Sequence, residues 1–217
     1  MPHPALIIFD IDGTLLQSQL VTVPAIREVL TAYGLTPPSE DAIRATFGAP
    51  VKEYEAWLAR LCPPKRAAQI VDAINEREQE LISTTDALYP GVLEALDSLK
   101  RAGHALATCT NASVPYLARV LDGHGLRKFF QVNACIGHGF ADKSAMVHHI
   151  MKTIMVRPAV VVGDRRGDIE AAKANGAHAI AADYGYGTDA ELKHAWAHAR
   201  TPAEIVGIID RLTGKSR

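Results

Sequence analysis

Leu6-Ile7-Ile8-Phe9-Asp10-Ile11-Asp12-Gly13-Thr14-Leu15 is an apolar run that ends in two carboxylates one residue apart, followed by a glycine. So short a run, bounded by turn residues, reads as a buried strand and not as a helix of ordinary length. Two carboxylates forced together at the mouth of a sheet repel one another unless a cation or a proton sits between them. Mg²⁺ prefers a few carboxylates together with water and phosphate oxygens, and would resolve that repulsion. A solvated strand-end turn uses the same residue types, so the stretch takes its meaning from what accompanies it.

Working outward, similar short runs predict strands at Ala5 to Phe9, Ala105 to Cys109, Ala134 to Ile136, Ala159 to Val162 and His178 to Ala181. Segments with helical period lie between them, such as Val92, Leu93, Leu96 and Leu99, or Val114, Leu117, Val120 and Leu121. This alternation implies an α/β fold with a parallel sheet covered by helices on both faces. After the first strand, however, the next convincing strand does not arrive until Ala105. The gap holds helical patterns over Val23 to Tyr33, Ser39 to Phe47, Val51 to Leu61 and Pro63 to Ile82, punctuated by glycines and prolines. An α-helical cap over residues 17–87, inserted into a core of residues 1–16 and 88–217, is the economical division. Leaving directly after the first strand, the cap would lie over the carboxyl ends of the strands, where open α/β sheets bind ligands.

The chain's 217 residues suit one α/β domain with a smaller insertion. With 48% hydrophobic and 22% charged residues it has the composition of an ordinary globular protein. A formal net charge of -1 gives no electrostatic case for a nucleic-acid or anionic-membrane partner, and favours a small soluble one. Cys62, Cys109 and Cys135 are widely separated, form no CxxC pair and read as structural. Met1 to Ala5 lacks the basic start of a secretory signal, and no apolar stretch approaches the length needed to cross a bilayer. A cytoplasmic protein, monomeric or homodimeric, is expected.

A second motif repeats the logic of the first. Val160-Val161-Val162-Gly163-Asp164-Arg165-Arg166-Gly167-Asp168 is an apolar strand ending in glycine and acid, with another acid one helical turn later. In a parallel sheet it points into the same crevice, so Asp164 can reach a metal held by Asp10 and Asp12. Asp168 suits either a functional role or capping of the helix that follows. Thr110 and Asn111 close the strand that ends at Cys109, and Lys143 opens the helical run Ser144 to Met155. A hydroxyl with nearby amides and an ammonium both suit a phosphoryl group. His148-His149 face different directions on a helix, and His194 with His198 lacks the Glu of a zinc helix, so neither pair reads as a metal site.

In order, Asp10-x-Asp12-Gly-Thr-Leu, Thr110-Asn111, Lys143 and Gly163-Asp164 with Asp168 resemble the haloacid dehalogenase superfamily, specifically its phosphoglycolate phosphatase-like branch. Tyr89-Pro90-Gly91-Val92 and Tyr184-Gly185-Tyr186-Gly187 are similar to segments of that branch. The resemblance implies a Rossmann-like core, an α-helical cap and a Mg²⁺-dependent phosphatase acting on a small phosphate monoester. It implies that Asp10 is the nucleophile, and that Asp12 protonates the leaving oxygen and later activates water. Mg²⁺ would be held by Asp10, the Asp12 backbone carbonyl and Asp164. Thr110, Asn111 and Lys143 would bind substrate, and Asp168 would orient Lys143 or a metal-bound water. Asp12 favours phosphoryl chemistry over dehalogenation, because an alkoxide needs a proton and a halide does not.

Two positions depart from the superfamily's pattern: Ser144 replaces a common proline, and Arg165 replaces a small hydroxyl residue. Arg165 and Arg166 are read as solvated in preference to recruiting an anion. Arg44, Thr46, Phe47, Gly48 and Lys52 are the cap residues expected to set specificity, Lys52→Ala being expected to alter relative activity among substrates. A phosphomutase of the same superfamily shares this core. A receiver-like phosphoacceptor domain also combines acids, a hydroxyl and a lysine, but places its acceptor after a middle strand and carries no large helical lid.

Overall fold

The three-dimensional structure, a computed structural model, describes residues 3–214; Met1 and Pro2, part of the stretch read against a leader, lie outside them. Six parallel strands form one sheet in the order β3-β2-β1-β4-β5-β6. They are β1 (Leu6–Phe9), β2 (Ala105–Thr110), β3 (Val132–Cys135), β4 (Ala159–Gly163), β5 (His178–Ala182) and β6 (Ala197–Ala199). The strand that carries Asp10 is therefore central, pairing with β2 on one side and β4 on the other. The five expected strands all exist, with ends displaced by one or two residues. Ile136, expected at the end of β3, instead opens a 3₁₀ turn over Ile136–His138.

The pleat of β1 sends alternate side chains to opposite faces. Ile7 and Phe9 join a core with helices α5 (Val92–Arg101), α6 (Val114–Gly123) and α10 (Pro202–Leu212). Leu6 and Ile8 join a second core with α7 (Lys143–Thr153) and α8 (Arg166–Ala174). Burial on both faces explains why β1 reads as continuously apolar instead of alternating. β6 was not expected. It is a three-residue edge strand, Ala197-His198-Ala199, with no apolar signal of its own, and its register comes from pairing with Ile180 to Ala182. His194 and His198 consequently do not share a helix face: His194 follows the short helix α9 (Asp189–Leu192), and His198 on β6 contacts Asp183 at 2.8 Å.

Between β1 and α5 lie α1 (Gln19–Ala32), α2 (Glu40–Arg44), α3 (Val51–Arg60) and α4 (Ala67–Thr84). They enclose a third core containing Ile26, Leu30, Ile43, Leu58, Ile70 and Ile74. α1 starts four residues before the expected Val23, so Pro24 lies inside it and deprives the Leu20 carbonyl of its helical donor. α4 starts at Ala67, four residues after the expected Pro63. The outgoing and returning chains run side by side. Gln17 N donates to the Ala87 carbonyl at 2.7 Å, Tyr89 N donates to the Leu15 carbonyl at 3.0 Å, and Leu16 bridges Leu88 in antiparallel sense.

Candidate active site

β1, β2 and β4 end at one crevice, and their termini bring the expected residues together. Lys143, the first residue of α7, places Nζ 2.8 Å from Asp10 Oδ2 and 2.7 Å from Asp168 Oδ1. Carboxylate oxygens of Asp10, Asp164 and Asp168 lie within 4.8 Å of one another. These three acids are 0–2% exposed. Burial pushes the Asp10 carboxyl up to about 7 although Lys143 opposes the shift. Burial, followed by Asp10 and Asp168, holds the Asp164 carboxyl well above its usual range. Burial works against the Lys143 charge too, but Asp10 and Asp168 outweigh it and keep the ammonium protonated.

One lysine therefore faces three close carboxyl groups, and the site is short of positive charge. Asp164 Oδ2 accepts a hydrogen bond from Tyr186 N at 2.7 Å, whereas its Oδ1 is buried without a partner. A buried carboxylate oxygen in that position is expensive unless something positive meets it. The donor set is all oxygen, and it fits a hard divalent cation such as Mg²⁺. Gly13 makes this packing possible: its φ is +74°, and a Cβ there would come within 2.2 Å of Asp164 Oδ2.

Asp12 stands apart from the cluster. Its Oδ1 accepts from Ser18 Oγ at 2.5 Å and from Tyr116 Oη at 2.6 Å. Burial raises its carboxyl above the usual range, and these two donors only partly offset the shift. A carboxyl raised in this way holds a proton more readily than an exposed aspartate does, as a group that donates and takes up a proton must. Thr110 is buried, and its Oγ1 accepts from Ala112 N at 3.2 Å.

Asn111 has a structural commitment that its motif does not reveal. Its Nδ2 donates to the Gly48 carbonyl at 2.9 Å, and its own carbonyl accepts from Val51 N at 3.2 Å, which ties β2 to the turn before α3. Asp168 combines both roles considered for it, since Oδ1 meets Lys143 while Oδ2 accepts from Arg165 N at 3.0 Å and caps α8. Ser144, standing where proline is common, accepts from Asn175 Nδ2 through both Oγ and its carbonyl.

Arg165 is not solvated as expected. Its guanidinium donates to the Tyr186 carbonyl at 3.1 Å and approaches Glu191 at 3.6 Å, while its stem packs beside Gly48. Arg166 is exposed. Above the acids a cavity of about 230 Å³ opens between core and helical insertion. Thr46, Phe47 and Gly48 line it as expected, but Lys52 does not: it faces a separate surface depression with Ala59, Ala68 and Asp72. Arg44 is also absent from the lining, its guanidinium lying 5.7 Å from the Tyr186 ring centroid and 3.6 Å from Glu40.

Several lining residues were not anticipated. Ser18 and Tyr116 sit outside the quoted motifs, and only folding brings them to Asp12. Glu78 did leave a signal: it occupies the buried stripe Ile70, Ile74, Glu78, Ile82 of α4, where an acid breaks an otherwise apolar face. It is 5% exposed, accepts from Thr22 Oγ1, and is pushed up to about 7 by burial.

A doubly wound parallel sheet with clustered aspartates at the ends of its central strands, roofed by helices, defines a hydrolase of the phosphatase class. The chain belongs to the haloacid dehalogenase-like hydrolase family, whose family model matches residues 7–182. It is 29% identical over 194 residues to a phosphoglycolate phosphatase of Agrobacterium fabrum, covering 85% of this chain and 83% of that one. The crystal structure of CbbY from Rhodobacter sphaeroides in complex with phosphate superposes with a TM-score of 0.78, at 27% identity over 94% of this chain and 96% of that one. A Thermotoga maritima structure given as a candidate β-phosphoglucomutase superposes with a TM-score of 0.78, at 25% identity over 96% and 99% of the two chains. This membership, with the inserted helices and the acidic motif that follows the first strand, replaces the receiver-domain alternative. Among the described residues, no helix is long and apolar enough to cross a membrane.

Proposed function

We propose that the protein is a Mg²⁺-dependent phosphatase that hydrolyses a small phosphate monoester through an aspartyl-phosphate on Asp10, with residues 17–87 acting as its cap. The observation that carries this reading is the juxtaposition of Asp10, Asp164 and Asp168 around one ammonium, with Asp164 Oδ1 left unpartnered. Mg²⁺ held by the Asp10 carboxylate, the Asp12 backbone carbonyl and Asp164 would supply the missing positive charge beside the phosphoryl oxygens.

In the first step the Asp10 carboxylate attacks phosphorus while the bond to the ester oxygen breaks, and Asp12 gives its proton to the departing alkoxide. In the second, Asp12 takes a proton from water as the water oxygen attacks the same phosphorus, releasing phosphate and restoring Asp10. The Thr110 hydroxyl, the Lys143 ammonium and the backbone around Asn111 hold phosphoryl oxygens through both steps. Asp168 anchors Lys143, keeping the ammonium where charge develops.

The test is phosphate release from a panel of monoesters, beginning with the phosphoglycolate that the relatives' name suggests, with Mg²⁺ or a chelator. Mg²⁺-dependent release should fall by about three orders of magnitude or more in Asp10→Asn. Release that survives the substitution removes Asp10 as nucleophile. A second reading, phosphoryl return to a sugar hydroxyl, draws support from the Thermotoga maritima likeness. It is favoured if sugar phosphates isomerise without releasing phosphate.

A further inference from the structure

The wall of the cavity opposite Asp10 comes from three helix faces of the cap: Thr22 on α1, Tyr54 and Glu55 on α3, and Asn75, Glu78 and Gln79 on α4. The i, i+3 and i+4 spacing within α4 aims its three side chains the same way. No Lys, Arg or His is among the lining residues, and the two charged groups on this wall are both carboxyls. Tyr54 Oη is buried without a hydrogen-bond partner. Thr22 and Glu78 are 3% and 5% exposed and hydrogen-bond to each other. Phe47, Val51 and Pro115 supply apolar surface to the same cavity.

Polar groups buried in this way are costly unless a ligand completes their hydrogen bonds. Above about pH 7, where Glu78 loses its proton, an anionic ligand end would meet Glu55 and Glu78 with no cation among the lining residues to compensate, in a setting where like charges repel strongly. A hydroxyl can accept from Tyr54 Oη and donate to Glu78 at once. Resting on the phosphatase reading above, we propose that the leaving group is a neutral, polyhydroxylated alcohol recognised by Glu78 and Tyr54, and that carboxylate-bearing esters such as phosphoglycolate are poor substrates.

The experiment compares kcat/KM, at about pH 8 where Glu78 is ionised, for glycerol 3-phosphate and 3-phosphoglycerate, which differ only in a terminal CH₂OH against a carboxylate. p-Nitrophenyl phosphate serves as a probe of hydrolysis that offers neither end group. Wild type should prefer glycerol 3-phosphate by about tenfold or more. Glu78→Gln should narrow that ratio by relieving the repulsion of the carboxylate, and Tyr54→Phe should raise KM for glycerol 3-phosphate. Equal or better hydrolysis of 3-phosphoglycerate or phosphoglycolate by wild type overturns the inference, and so does a ratio unmoved in folded Glu78→Gln. If that variant does not fold, the wild-type ratio and Tyr54→Phe still decide. Failure on p-nitrophenyl phosphate and every ester alike would instead overturn the phosphatase reading, and this inference with it.

Discussion

The phenol of Tyr116 donates to Oδ1 of Asp12 across 2.6 Å, joining a helix of the core to a carboxyl 104 residues earlier in the chain. Burial, then the Asp12 charge, holds the Tyr116 hydroxyl well above its usual range, so it stays a donor. Together with Ser18 it leaves Asp12 a defined orientation above the acid cluster.

Tyr116→Phe should therefore lower kcat by up to about a hundredfold, the scale expected when a proton-transfer group loses its alignment. KM should change less. The Tyr116 hydrogen bond lowers the Asp12 carboxyl, so losing it should move the pH optimum upward. A pH–rate profile for both proteins checks this, and an unmoved optimum would show that Tyr116 does not act through Asp12.

Asp164 supplies a prediction that needs no substrate. Mg²⁺ should raise the Tm of wild type, by an amount equivalent to about 2.7 kcal/mol at a hundredfold excess over Kd. Asp164→Asn should lose that increment. Without metal the variant should melt no lower than wild type, because it removes a charge that burial, Asp10 and Asp168 all disfavour. Equal Mg²⁺ increments in calorimetry would remove Asp164 from the metal site.

Glu78 should make stability fall with rising pH. Its ordinary value of 4.5 is raised to about 7 in the fold, so the native state binds the extra proton between those limits. The associated stability is complete below about 4.5 and is lost as pH rises through about 7. Glu78→Gln cannot ionise, so its stability relative to wild type should climb across that window, by up to about 3 kcal/mol. Urea titrations at pH 4.5, 6 and 7.5 measure the difference; a flat difference would mean that Glu78 is not held in its acid form.

Much of the fold was legible because β1 and β4 are buried along their whole length and carry no polar side chain, while β2 and β5 are interrupted only by Thr108, Thr110 and His178. The same burial marks Asp10 and Asp164, since each is the first charged residue after such a run. β6 was illegible because Ala197-His198-Ala199 has no intrinsic strand signal and is placed by its neighbour. Arg165 and Lys52 were misplaced for a related reason: the loop after β4 and the outer face of α3 are positioned by contacts from distant parts of the chain.

By itself the sequence determined the order of strands and helices, the interval between the first two strands that is filled by helices, and the acids, hydroxyl and lysine that meet at the strand ends. Those features follow from local burial patterns and from the rule that parallel strands direct their carboxyl ends to one crevice. Only the tertiary structure decided that Tyr116 and Ser18 hold Asp12, that Asn111 ties the end of β2 to the inserted helices through Gly48, and that the wall these helices give the cavity is acidic and hydroxylic. Ser18 lies only six positions from Asp12, but the contacts of Tyr116 and Asn111 join residues 104 and 63 positions apart. They depend on how one helix layer is rotated over another, which no local periodicity encodes.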